Sequence, residues 1–158
     1  MTDARFEDGG ERPLHLKATE VEDLQVLSSL VQDAVFPITE MRWDRQKRQF
    51  AILLNRFRWE DKANAESRKR AYERVQSVFL IADVLKVQSQ GVDRSDTEMV
   101  LSVLDVRFQP AEEGAGQLVL TLAGDGAIAV HVECLDVILK DVTRPYLAPS
   151  GKAPDHPE

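Results

Sequence analysis

Apolar residues recur along this chain in two rhythms. Leu24, Leu27, Val31 and Val35, with Leu30 and Ala34 beside them, fall at helical spacing and predict one amphipathic helix that ends near Phe36-Pro37. Thr19 and Glu22 match a capping box at its start. Most of the remaining apolar residues alternate with a rhythm of two, which predicts strands. A short one covers 14–18, where Leu14 and Leu16 point one way.

After the helix, a turn at 44–47 predicts a hairpin that pairs Trp43 with Arg48, Met41 with Phe50 and Thr39 with Ile52. Its second strand is apolar on both faces and reads as an inner strand. Residues 60–73 are charged and compatible with one or two helical turns. Strands follow at 74–89 and 98–108, then a hairpin whose loop Gly124-Asp125-Gly126 sets Leu122, Leu120 and Leu118 opposite Ile128, Val130 and Val132. The alternation slips phase between Cys134 and Leu135, which predicts a bulge or a bend.

The sum is an α+β fold: a curved antiparallel sheet, a roll or partial barrel, of about seven strands packed on one N-terminal helix. Strands do not alternate with helices, so a doubly wound nucleotide-binding fold is not expected. Residues 1–12 read as a flexible acidic tail, 13–146 as a single domain, and 147–158 as a flexible Pro-rich tail.

Composition narrows this further. A chain of 158 residues that is 43% hydrophobic can bury one real core. No apolar run approaches the roughly 18 to 20 residues that span a bilayer, and the start is acidic, so a cytoplasmic protein without a membrane partner is expected. The single cysteine, Cys134, excludes a disulfide framework and a cysteine-rich zinc site. The formal charge of −7 is uneven, with +6 between Arg42 and Arg74 and −13 elsewhere.

Little catalytic machinery is visible. The eight glycines do not make a phosphate loop, and no nucleophile elbow accompanies the three histidines. His131-Val132-Glu133-Cys134 has the His-x-Glu of zinc deaminases without their cysteine pair, and strand alternation explains it as a solvent-facing polar pair. No metal or cofactor is expected. Asp83 and Asp105 lie on otherwise apolar strand faces. A hairpin turning near residues 94 and 95 would bring them together as an acid–base pair, while an Asp–Arg pair with Arg107 is the plainer explanation.

The densest feature is residues 42–59, which hold six of the twenty Lys and Arg and four of the ten aromatics. Phe50 and Phe57 look like core. Arg42, Arg45, Lys47 and Arg48 cluster at the hairpin end. Arg56 and Arg58 are placed where the strand emerges at the rim, with Trp43 and Trp59 as anchoring rings. Such a patch suits a protein partner, since Arg and Trp are favoured anchors. RNA or single-stranded DNA is a second candidate, although a pI near 5.0 is contrary to the usual basic footprint. A homodimer through the same patch is a third arrangement.

Residues 32–36 (QDAVF), 48–60 (RQFAILLNRFRWE) and 132–145 (VECLDVILKDVTRP) together resemble a family of small alphaproteobacterial proteins known as a domain of unknown function. The resemblance runs from about 14 to 146 and implies a bacterial cytoplasmic protein, with no activity, cofactor or catalytic residue to carry over. At fold level, strand, helix, strands is also the order of hot-dog thioesterases, in which Asp33 would be the helix carboxylate. The sequence thus favours a non-enzymatic protein-binding module using the basic-aromatic hairpin. A hydrolase using Asp33 or the Asp83 and Asp105 pair is the alternative.

Overall fold

The alternating apolar runs pair into one open, mostly antiparallel sheet in a computed structural model that describes residues 12–148 and 153–154. Of the expected tails, all but Arg12, Leu147, Ala148, Ala153 and Pro154 lie outside the described residues. In chain order the elements are β1 (His15–Ala18), α1 (Val21–Leu30), β2 (Val35–Pro37), β3 (Met41–Asp44) and β4 (Gln49–Phe57). Then come α2 (Lys62–Ser67), β5 (Glu73–Ile81), β6 (Val84–Gln90) and β7 (Val100–Pro110). The chain closes with β8 (Gly116–Leu122), β9 (Ala127–Val132), β10 (Val137–Asp141) and β11 (Tyr146–Leu147). Among the described residues there are thus eleven strands rather than about seven, two α-helices rather than one, and no barrel closure.

The strand order is β1-β10-β5-β4-β2-β7-β8-β9-β6, with β11 added to β5 and β3 to β4. Three-residue β2 joins the two halves, pairing Val35 with Asn55 of β4 and with Ser102 of β7. The core is a single cluster fed by both halves and by Leu24 and Leu27 of α1. Strand β4 lies between β5 and the β2 and β3 side, so it is the inner strand expected.

Much of the extra strand count comes from breaks in runs that looked continuous. The run 74–89 is two strands, because Asp83 adopts φ +55 and the chain leaves β10 and β4 to pair with β9. Aspartate tolerates that left-handed conformation better than its β-branched neighbours would. The phase slip after Cys134 is the matching crossing in the other direction, from β9 to β10. The two crossings are laced together, Glu133 N–H donating to Asp83 O and Ala82 N–H to Asp136 O, each at 3.0 Å.

Helix α1 is shorter than its apolar stripe. It ends at Leu30, and Asp33 turns the chain with φ +62. From there the sheet captures the backbone: Asp33 N–H donates to Val103 O and Val103 N–H to Ala34 O. Val31 and Ala34 still reach the core, so helical spacing was satisfied by a turn. No capping box forms. Glu20 holds the N-cap position and makes no side-chain cap.

Both tight hairpins form, each with partners two residues away from those expected. Met41 faces Ile52 and Trp43 faces Phe50, around the turn 45–48. Leu118 faces Val130 and Leu120 faces Ile128, around 123–125. A two-residue slip leaves every side chain on its own face, so alternation cannot distinguish the two registers.

Candidate functional site

The basic stretch divides into a buried half and an exposed half. Along β4, Phe50, Ile52, Leu54 and Arg56 share one face, and that face is core throughout. Arg56 is 0% exposed, which corrects its expected place at the rim. Its guanidinium donates to both Asp141 oxygens at 2.9 and 3.1 Å, to both Glu60 oxygens at 2.8 Å, and to Ser77 Oγ at 3.0 Å. Ser77 Oγ and Leu14 N–H donate to Asp141 as well, at 2.6 and 2.9 Å. Burial pulls the guanidinium down, but Glu60 and then Asp141 outweigh it and hold Arg56 above its ordinary value. The arrangement is a satisfied buried ion cluster, with no donor turned outward for a ligand.

Arg58 is likewise buried, at 2% exposed, and pairs with Glu73 at 2.7 Å and Asp61 at 3.7 Å. Arg70 Nη1 donates to the same Asp61 oxygen at 2.8 Å, so it joins this cluster. Trp59 donates its indole N–H to Gln32 O at 3.0 Å and packs edge-on against Phe57 at 4.7 Å. These residues bind the 59–73 connection to the sheet.

That cluster should make the fold acid-sensitive. Burial pushes the Asp61 carboxyl up, but hydrogen bonds from Arg70 and the charges of Arg58 and Arg70 outweigh it, leaving the group below its ordinary value. A depressed carboxyl contributes stability that is fully present above its unfolded value, about 3.9, and is lost as pH falls through the folded one. Urea midpoints should therefore drop below about pH 4, and Asp61→Asn should lower the neutral midpoint while flattening that acid decline. An unchanged acid decline in the variant would refute this assignment.

The exposed half of the basic stretch forms a groove at the hairpin end. Trp43, Arg45 and Arg48 line one side, and Val84, Leu85, Lys86 and Val87 of β6 the other, around about 420 Å³. A smaller cleft of about 210 Å³ lies against Trp43 as well, walled by Ile38, Thr39, Met41, Phe50 and Arg94. Trp43 therefore stands between two hollows bordered by four cations. Arg48 is tied to Glu133 at 2.7 Å, whereas no ion pair among the described residues holds Arg45, Lys86 or Arg94. Arg42 alternates with Trp43 and pairs with Ala51, so it lies on the other face of β3. Lys47 is exposed at the turn, its backbone N–H donated to Asp44.

The carboxylate candidates do not meet. Strand β6 pairs with β9, and β7 pairs with β8 and β2, so the expected hairpin between 83 and 105 does not exist and three strand steps separate β6 from β7. Asp105 follows a register shift in β7 that turns Val106 inward in its place, and it contacts Arg107 at 3.2 Å. Asp83 accepts the Cys134 thiol at 3.2 Å, and that bond, with burial, pushes the thiol up and away from nucleophilic character. Asp33 sits in the turn after α1, not on a helix, which removes the carboxylate the hot-dog analogy requires.

His131 and Glu133 part company too. His131 Nε2 lies 2.9 Å from Gln88 Oε1, while Glu133 turns to Arg48. Among the described residues no group of three or more His, Cys, Asp or Glu gathers as a metal site, and no helix is long and apolar enough to cross a membrane.

Sequence reasoning missed Lys86, Leu85 and Val87, which come to the groove from outside the basic stretch, and Arg94, which borders the smaller cleft. The signal available was Lys86 itself, a cation inside the apolar run 84–87. No curated protein and no solved structure matches the chain. One family model does, over residues 14–156, and its description is protein of unknown function (DUF2948).

Proposed function

The chain belongs to the DUF2948 family of proteins of unknown function, and from that premise we propose that it is a non-enzymatic binding module whose Trp43 groove takes an acidic segment of a partner protein. The observation that carries this reading is the junction of an indole with Arg45, Arg48 and Lys86 around one open hollow and with Arg94 at a second, in a chain whose formal charge is −7. Arg45, Lys86 and Arg94, which no ion pair among the described residues holds, attract carboxylates, and an aromatic wall beside them rewards an apolar side chain between those carboxylates. Leu85, 53% exposed, supplies further apolar surface at the same place.

The groove favours a peptide over a nucleic acid. With Arg56 and Arg58 in the core and Trp59 bonded internally, the cations left do not form the extended phosphate-tracking stripe that single strands need. The separation of Asp83 from Asp105 likewise disfavours a hydrolase. Titration of the protein with a fluorescein-labelled Glu-Val-Glu-Val-Glu-Val peptide, followed by anisotropy, tests the proposal. Binding is expected, weakening about tenfold or more in Arg45→Glu with Lys86→Glu. Tighter binding of a mixed single-stranded DNA pool, or an affinity unmoved by the double reversal, would overturn it.

A further inference from the structure

We infer that the acidic segment docks as an added strand along the outer edge of β6; the inference rests on the groove reading above and specifies how the segment is held. Among the described residues, strand β6 ends the strand order and pairs with β9 alone. At seven residues it is longer than the other strands with a single neighbour: β1 and β3 have four each and β11 two. Leu85, Lys86, Gln88, Ser89 and Gln90 are all exposed, so nothing among the described residues covers that edge. Every second residue of an edge strand presents N–H and C=O groups away from its neighbour, and these form a ready template for an incoming chain.

The groove and the edge are the same place. Four consecutive residues of β6, Val84 to Val87, line the groove, so it runs along the strand instead of crossing it. The template is already begun: Val84 N–H donates to Arg48 O at 2.9 Å, and beyond that bond the described backbone offers Leu85–Gln90 no partner on this side. An incoming strand would continue where Arg48 stops. Six residues at about 3.3 Å each span about 20 Å, the length of that open edge.

Charge selects the occupant. A second copy pairing through β6 would set Lys86 and the hairpin cations against their own kind, whereas a strand with carboxylates at alternate positions meets Arg45 and Lys86. The partner is therefore an extended acidic segment of another protein.

The test uses the full chain, the Glu-Val-Glu-Val-Glu-Val peptide, and two versions N-methylated at alternate amides, one on each of the two complementary sets. Methylation leaves all the carboxylates in place and removes only backbone donors. One methylated peptide should bind about tenfold more weakly than the parent and the other should bind nearly as well. Hydrogen exchange should slow at alternate amides within 85–90 when the parent is added. If the parent binds and both methylated forms bind equally well, the acidic groove stands and strand addition falls. Absence of parent binding would remove both. A dimer without peptide, with the same amides protected, would put a second copy on the edge and overturn the proposal.

Discussion

Asp141→Ala is expected to destabilise the fold by about 3 to 5 kcal/mol, a large share of what a domain this size possesses. The carboxylate accepts from Arg56, Ser77 and the Leu14 amide, and its removal leaves a guanidinium at 0% exposure with Glu60 as its remaining ion-pair partner. The loss comes mostly from the charge left behind, not from the pair itself. Replacing both partners, Arg56→Met with Asp141→Leu, should therefore regain about half of it, because a buried pair is often matched by apolar residues of similar volume. Urea unfolding reads both variants, with the midpoint of the single variant lower by about 2 M. A single variant within about 1 kcal/mol of the parent would mean that water reaches Arg56 and that the cluster is not buried as described.

Gly116→Ala should cost about 3 kcal/mol, for a different reason. Gly116 opens β8 between Pro110 of β7 and Val132 of β9, so strands flank it on both sides. A methyl group there would overlap the Gln109 carbonyl oxygen and come within 2.6 Å of the Phe108 ring. The ring can swing, but a backbone carbonyl in a ladder cannot, so the strands must part. Gly114→Ala is the control. It meets nothing within 4 Å and carries only the strain of φ +84, which is worth about 1 to 2 kcal/mol. Equal thermal shifts for the two variants would show that crowding at residue 116 is relieved by the ring alone.

What could be read in the sequence was parity. The apolar faces of β4, β8 and β9 came out correctly because alternation assigns residues to faces, and the inner position of β4 followed from two apolar faces. Register was beyond reach, since a two-residue slip leaves the same faces buried. Parity also held the clue to the buried cluster. Arg56 extends the row Phe50, Ile52, Leu54; Ser77 extends Phe79 and Ile81; Asp141 extends Val137 and Leu139. Three polar residues continuing three apolar rows on neighbouring strands are complementary to one another, but only strand order places them together, and that order is nonlocal.

The two carboxylate candidates failed where parity itself fails. Asp83 stands at the left-handed kink that carries the chain from β5 to β6, and Asp105 follows the shift in β7, so each leaves the face its neighbours predict. An aspartate in a β-branched run is as much a sign of a break as of chemistry. The groove was half legible. Trp43, Arg45 and Arg48 stood out as a local cluster, whereas Lys86 and Arg94 join them only through tertiary structure.

The central claim gives opposite roles to the two tryptophans, Trp43 walling an open groove and Trp59, half-buried, with its indole N–H bonded to Gln32. Their two indole N–H resonances, followed in a nitrogen-15 correlation spectrum as the acidic peptide is added, report on both at once. The account predicts that the Trp43 signal moves in a saturable way, the Trp59 signal stays still, and Arg45→Glu with Lys86→Glu abolishes the movement. A shift of Trp59 with Trp43 unmoved would place binding elsewhere and contradict the account.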